Sequence, residues 1–384
     1  MSDAAPYDSL LLVSFGGPEG PDDVMPFLEN VLRGKNVPRE RMLEVSEHYQ
    51  HFGGVSPINE QCRQLLAALR EELAKHGPDL PIYWGNRNWD PMLEDTVRQM
   101  AADGRKRAIA FFTSVFSCYS GCRQYREDIL RAREAVGDEA PAVDKLRMPY
   151  NHPAFIGVNA ENLKRELDTF DESDRDSVRV LFTAHSIPDA MADNCRYATQ
   201  LEEASRLTAD AVGHANWELV YQSRSGPPQQ PWLEPDVCDR IEQLHEQDGV
   251  KRIVLLPIGF VSDHMEVLFD LDTEAKELCE KLGVEMRRAA TVGVDPRFVS
   301  MVRELILERA ATVRGEEPTR PAIGHFPANH DVCPQDCCLY TPRRPPGVGR
   351  PAGAGRPASE DRPESTRPEA GQSESGRTGA GQPA

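Results

Sequence analysis

Long apolar runs are missing from this chain. No stretch approaches the roughly 18 uninterrupted apolar residues that suggest a membrane span, which excludes integral membrane association. The opening segment MSDAAPYDSLLLVSF has no basic n-region and runs directly into a strand-like stretch. It therefore reads as free of a signal peptide and points to the cytoplasm. Basic charge is also scarce: 44 Lys and Arg stand against 62 Asp and Glu, a net charge of −18. That balance argues against nucleic acid or an anionic bilayer as the main partner. A solvated acidic surface accounts for it; an acidic path for a metal cation is the sharper reading and needs local support. P-loop, GxGxxG, HExxH and GxSxG signatures are absent too.

What is present is an alternation of short apolar runs with longer amphipathic stretches. Residues 10–15, 81–84, 108–115, 178–184, 217–222 and 253–258 are nearly all apolar, as in strands buried on both faces. Between them the spacing predicts helices over 22–33, 57–75, 91–102, 123–135, 154–168, 202–212, 235–247, 263–282 and 296–313. The pattern predicts an α/β fold with parallel sheets flanked by helices. Six or more strands over roughly 320 ordered residues suit two sheets, divided near residue 150. The expected organisation is an N-terminal α/β domain at 1–150, a C-terminal one at 151–320, a cysteine-containing extension at 321–340 and a tail at 341–384. The tail carries eight Pro and eight Gly among 44 residues, a composition expected to be disordered.

Ligands of open parallel sheets bind beyond the carboxyl ends of the strands. Those ends carry Gly16-Gly17-Pro18, the 114–122 segment, Ala184-His185-Ser186, Gln222-Ser223-Arg224 and the 259–266 segment. They collect His185, His264, Asp263 and Glu266, and imidazole plus carboxylate suits a borderline divalent metal. A lone strand-end histidine is more often a hydrogen-bonded structural one, but two such ends facing one cleft favour a site. Glu266, Asp270 and Glu274 follow at i, i+4 and i+8, which in an α-helix stacks them on one face with a drift of about 40° per step. Such a row is either solvated or a carrier of protons or cations.

The nine cysteines are not expected to form disulfides in a cytoplasmic protein. Cys62, Cys238 and Cys279 read as small core residues. Cys333, Cys337 and Cys338 differ: they stand together just before the tail and could hold zinc or an iron–sulfur cluster, given a distant fourth ligand.

The motifs LLLVSFGGPEGPDD, HFGGVSPINEQ, YWGNRNWDP, FTAHSIP, WELVYQSRSGPPQQPWLEPDV and LLPIGFVSDHMEVLFDLD closely resemble those of ferrochelatases, over about residues 7 to 315. Within that family the sequence is most similar to the Gram-positive branch that metallates coproporphyrin III. The resemblance implies two similar Rossmann-like, flavodoxin-type domains with a porphyrin cleft between them. It implies a lyase-type metal chelatase of haem biosynthesis, with coproporphyrin III and Fe²⁺ as partners and transient contact with neighbouring haem-pathway enzymes. His185 and Glu266 become the catalytic, iron-side pair, and Asp270 and Glu274 the acidic path. Ser56 and Tyr125 become porphyrin contacts. Several relatives have a Tyr in the first motif that can ligate iron from the opposite face; here that place is Phe15, which has no ligating atom. The resemblance also implies a [2Fe–2S] cluster held by Cys122, Cys333, Cys337 and Cys338, with Cys118 as the fallback internal ligand. The segment 31–50, with Arg33, Lys35, Arg39, Arg41 and Glu44, is expected to edge the cleft mouth, and a basic lip suits a soluble porphyrin with four carboxylates. Alternatives are a protoporphyrin IX ferrochelatase, a cobalt or nickel chelatase and a non-catalytic porphyrin or haem carrier.

Overall fold

The computed structural model describes residues 3–34, 37–226 and 229–340; Lys35 of the basic segment, Pro227, Pro228 and the 341–384 tail lie outside the described residues. Among the described residues, eight strands form two parallel sheets of four. β1 (Ser9–Ser14), β2 (Ile82–Asn86), β3 (Arg107–Phe112) and β4 (Ala142–Lys145) build the first, in the order β2-β1-β3-β4. β5 (Arg179–His185), β6 (Trp217–Gln222), β7 (Arg252–Leu256) and β8 (Glu285–Arg288) build the second, in the order β6-β5-β7-β8. The two sheets therefore repeat one doubly wound topology, and each reverses direction between its first and third strand. The sequence predicts six of these strands and misses β4 and β8. Both are four residues long, lie at a sheet edge and read AVDK and EMRR, too short and polar to register as buried runs.

The helices of the first half are α1 (Val24–Val31), α2 (Arg39–His51), α3 (Ile58–His76), α4 (Leu93–Ala102) and α5 (Gln124–Val136). Those that follow are α6 (Pro153–Leu167), α7 (Asp189–Ala192), α8 (Tyr197–Val212), α9 (Val237–Asp248), α10 (Met265–Phe269), α11 (Lys276–Leu282) and α12 (Pro296–Val313). Local chemistry fixes several starts. His152 caps α6 by accepting the Ala154 N–H on Nδ1, and Asp236 and Asp295 cap α9 and α12 in the same way. Proline opens both α6 and α12.

Two departures concern function. α2 falls where the sequence suggests only a charged lip, because its few apolar residues make a weak stripe. The single helix expected over 263–282 is three pieces: α10, a π-helical turn at Asp270–Ala275, and α11.

Leu10, Leu12, Ile109 and Phe111 of the first sheet share one apolar core with Val180, Phe182, Val254 and Leu256 of the second, through α3, α6, α8 and α12. The outer faces have separate cores, under α4 and α5 on one side and α9 and α11 on the other. Among the described residues, no helix is long and apolar enough to cross a membrane.

Candidate functional site

The second sheet's reversal point lies between β5 and β7. His185 is the last residue of β5, and the chain leaving β7 returns across it. Gly259 makes that crossing: its N–H donates to the Thr183 carbonyl at 3.0 Å, and a Cβ there would sit 2.6 Å from the Ala184 Cβ. Only glycine permits so close a passage. Five residues later His264 caps α10, accepting the Glu266 N–H on Nδ1 at 3.2 Å. Its side chain is thereby fixed beside the first turn of the helix.

This local geometry brings the expected pair together. His185 Nε2 lies 3.6 Å from Glu266 Oε2, and His264 Nδ1 lies 3.8 Å from the same oxygen. His185 Nδ1 contacts the Ser186 carbonyl, and the Tyr197 hydroxyl donates to the His185 carbonyl at 3.1 Å. With Nδ1–H directed at a carbonyl, a neutral His185 carries its free lone pair on Nε2, facing Glu266. Burial works against charge on His185, but Glu266 outweighs it and lifts the imidazole to about 9. Burial likewise opposes charge on Glu266, and His185 reverses that effect, holding the carboxyl at about 2. His264 is lowered, chiefly by burial.

Asp270 behaves in the opposite way. Burial, aided by the charges of Glu266 and Glu274, raises it to about 7. Ser223 donates its hydroxyl to Asp270, and the Gln222 amide donates at 3.2 Å to both Asp270 Oδ2 and the Glu266 carbonyl. Ser223 has a positive φ of 61°, an unusual conformation for a non-glycine residue, and sits at the end of β6 where its hydroxyl meets Asp270. Glu274 is raised too, first by burial and then by Asp236 and Glu277. The π-helical turn straightens the acidic row. An i, i+4 step slightly overshoots a turn in an α-helix and falls short of one in a π-helix, so the drift from Glu266 to Asp270 is reversed toward Glu274.

The remaining expected residues are more deeply placed. Tyr125 is 5% exposed, inside the first half's outer core, with the Arg87 guanidinium 3.9 Å over its ring. Ser56 is also 5% exposed and lies against Gly17, where a Cβ would come within 2.7 Å of the Ser56 Cβ. Phe15 packs edge-on to Phe27, which in turn packs against Tyr49 and Trp89. Arg33, Arg39 and Arg41 are exposed, and Arg41 pairs with Glu44 at 2.7 Å.

Sequence reasoning missed what α2 does. His48 stacks flat on Phe269, with ring centroids 3.9 Å apart, so α2 touches the helix that carries Glu266. Burial and then Glu266 raise the Tyr49 phenol. Aromatic content around 48–52 is the only sequence signal for this contact. A cavity of about 180 Å³ lies between α3 and the segments after β7 and β8, lined in part by Gln61, Thr113, Ser262 and Asp263; neither His185 nor Glu266 lines it.

The extension returns to the first half. Asn151 donates to the Phe326 carbonyl at 2.8 Å, Asn329 donates to the Ser117 hydroxyl at 2.8 Å, and Arg123 holds the Gln335 and Cys337 carbonyls at 2.8 and 3.0 Å. These bonds set the extension's cysteines beside Cys122. The neighbouring Cys122 holds the Cys333 thiol well below its ordinary range. Cys337 Sγ is 3.7 Å from Cys338 Sγ. Cys118 turns back on its own loop, accepting the Gly121 N–H at 3.1 Å.

A protein-family model described as Ferrochelatase matches residues 7–310. The chain is 64% identical over 349 residues to the Ferrochelatase of Rhodopirellula baltica, covering 91% of this chain and 98% of that one. It is 53% identical over 365 residues to the Coproporphyrin III ferrochelatase of Streptomyces coelicolor, covering 90% of this chain and 97% of that one. It is 50% identical over 356 residues to the Coproporphyrin III ferrochelatase of Nocardia farcinica, covering 89% and 99%. With strand-end histidine and carboxylate at a doubly wound reversal point and a match over most of its length, the chain belongs to the ferrochelatase family.

Proposed function

We propose that the protein inserts Fe²⁺ into coproporphyrin III, with His185 and Glu266 acting on the iron and the pyrrolic protons. The observation that carries this reading is the 3.6 Å pair with Asp270 behind it. Metallation removes two N–H protons from the ring as Fe²⁺ enters. In the free protein the pair is an imidazolium and a carboxylate, so His185 is not yet a base. Fe²⁺ arriving at Glu266 cancels the charge that keeps His185 protonated, and burial then favours the neutral imidazole. Metal arrival therefore releases the His185 proton toward Asp270 and frees Nε2 to accept the two pyrrolic protons in turn, each passed on by the same route. Asp270, near 7, can take up and release protons at neutral pH, and Glu274 continues the route outward.

Two features support coproporphyrin III over protoporphyrin IX. The relatives in Streptomyces and Nocardia carry that substrate in their names at about half identity. The exposed Arg33, Arg39 and Arg41 suit a ring with four carboxylates. The test is kcat/KM for the two porphyrins at the same limiting Fe²⁺. Coproporphyrin III is expected to win by about tenfold or more, equivalent to about 1.4 kcal/mol. Equal or better use of protoporphyrin IX overturns the substrate assignment while leaving the pair's role standing.

The four thiols of Cys122, Cys333, Cys337 and Cys338 fit a [2Fe–2S] cluster by donor type and number. Such a cluster supplies one-electron redox chemistry. Cys338 adopts φ 54°, a left-handed backbone that lets two consecutive side chains face one point.

A further inference from the structure

The segment that carries Glu266 and Asp270 is gripped from two strands. From β6, the Gln222 amide donates to the Glu266 carbonyl and to Asp270. From β8, Arg288 reaches it at two other points. Arg288 ends that strand, and successive side chains of a strand point to opposite faces. Arg287 accordingly turns to Glu285 at the surface, while Arg288 turns toward the segment after β7. Its two terminal nitrogens donate in parallel to the two Asp263 carboxylate oxygens, each at 3.2 Å. Its Nε donates to Asp272 Oδ1 at 2.6 Å. The two carboxylates bracket the site, since Asp263 precedes Glu266 and Asp272 follows Asp270. Two steps along a helix, at about 100° each, carry Asp272 roughly 200° from Asp270, to the side away from the acidic row. A planar guanidinium suits both partners at once: its fork matches one carboxylate and Nε remains for the other.

We propose that Arg288 is a positioning residue for iron insertion, clamping Asp263 and Asp272 so that Glu266 and Asp270 stay fixed against His185. The proposal rests on the reading of His185 and Glu266 as the iron-side pair, and Arg288 acts through that pair. All three members of the clamp are half-buried, so their bonds are poorly screened by solvent. Lysine at this position keeps the positive charge but offers one point charge in place of the fork, and holds one carboxylate at the expense of the other.

The experiment uses the full chain, Fe²⁺, and whichever of coproporphyrin III and protoporphyrin IX the parent uses better. Arg288→Lys should lower kcat/KM for Fe²⁺ by about tenfold, with the KM for Fe²⁺ rising and that for the porphyrin within about twofold of the parent. Asp272→Asn leaves the Asp263 fork in place and should act in the same sense by about threefold or more. The double variant should be no worse than Arg288→Lys alone, because both substitutions break one contact. A loss confined to folding lowers the active fraction, hence kcat, and leaves both KM values unchanged. Circular dichroism and porphyrin titration count the folded, binding-competent protein in each sample. Parental Fe²⁺ kinetics in Arg288→Lys, a fall in kcat with both KM values unchanged, or additive losses in the double variant overturns the proposal. Should Arg288→Lys not fold, Asp272→Asn decides, and parental Fe²⁺ kinetics there overturns it. Glu266→Gln separates the two levels of the reading. An inactive Glu266→Gln beside a parental Arg288→Lys removes the role of Arg288 alone, whereas parental turnover in Glu266→Gln removes the role of the pair and the clamp with it.

Discussion

At the residue scale, His185, Glu266 and Asp270 are defined by one another. His185 stands at about 9 and Glu266 at about 2 because each offsets the burial of the other. The histidine's stabilising contribution is complete below its ordinary 6.5 and is lost as pH rises through about 9. The carboxylate's is present above 4.5 and is lost as pH falls through about 2, so the pair stabilises most between 4.5 and 6.5. Titration of the His185 ring by NMR should therefore give an apparent pKa near 9, dropping to 6.5 or below in Glu266→Gln. A value near 9 in that variant would show that Glu266 is not the cause. Removing the imidazole tests its chemistry. His185→Ala should lower kcat for iron insertion by about 10²-fold or more while porphyrin binding, followed by absorbance, stays detectable. Near-normal turnover would end the role assigned to it.

At the element scale, the segment from β7 to α11 does three things in sequence. Gly259 crosses β5, His264 starts α10, and the π-helical turn aligns the acids. The crossing leaves no room for a methyl group. Gly259→Ala should destabilise the fold by about 1–3 kcal/mol in urea denaturation and lower kcat, because the loop must lift and carry Glu266 from His185. A variant with parental stability and turnover would mean that the crossing is looser than its 2.6 Å contact implies. α2 is the counterpart element on the first half. The His48–Phe269 stack closes it against α10.

At the scale of the whole molecule, the two sheets are joined by a common core and by a buried ion pair. Arg147, just after β4, makes two bonds to Glu308 of α12 at 2.7 and 3.0 Å and a third to the Pro321 carbonyl at 2.9 Å. Both side chains are almost fully buried, at 1% and 5% exposure. Arg147→Ala leaves Glu308 with only the more distant Arg320, at 3.3 Å, and should cost about 3–5 kcal/mol. The loss should appear as a lower denaturation midpoint together with faster proteolysis of the extension. A change under about 1 kcal/mol would mean that Arg320 replaces it fully.

The sequence determined the strands that carry the site, because runs buried on both faces must be apolar throughout, as in LLLV and RIVLL. Strand ends then exposed His185, and periodicity exposed the Glu266–Asp270–Glu274 row. Edge strands AVDK and EMRR escaped because pairing on one side demands little of their side chains. The π-helical turn left no trace, since one shifted hydrogen-bond register needs no distinctive residue. Only tertiary structure could raise His185 and Asp270 by neighbouring charge and burial, set α2 against α10, or join Cys122 to residues more than 200 positions away. Those facts depend on distances between separate elements, which packing of the shared core fixes and local sequence does not encode.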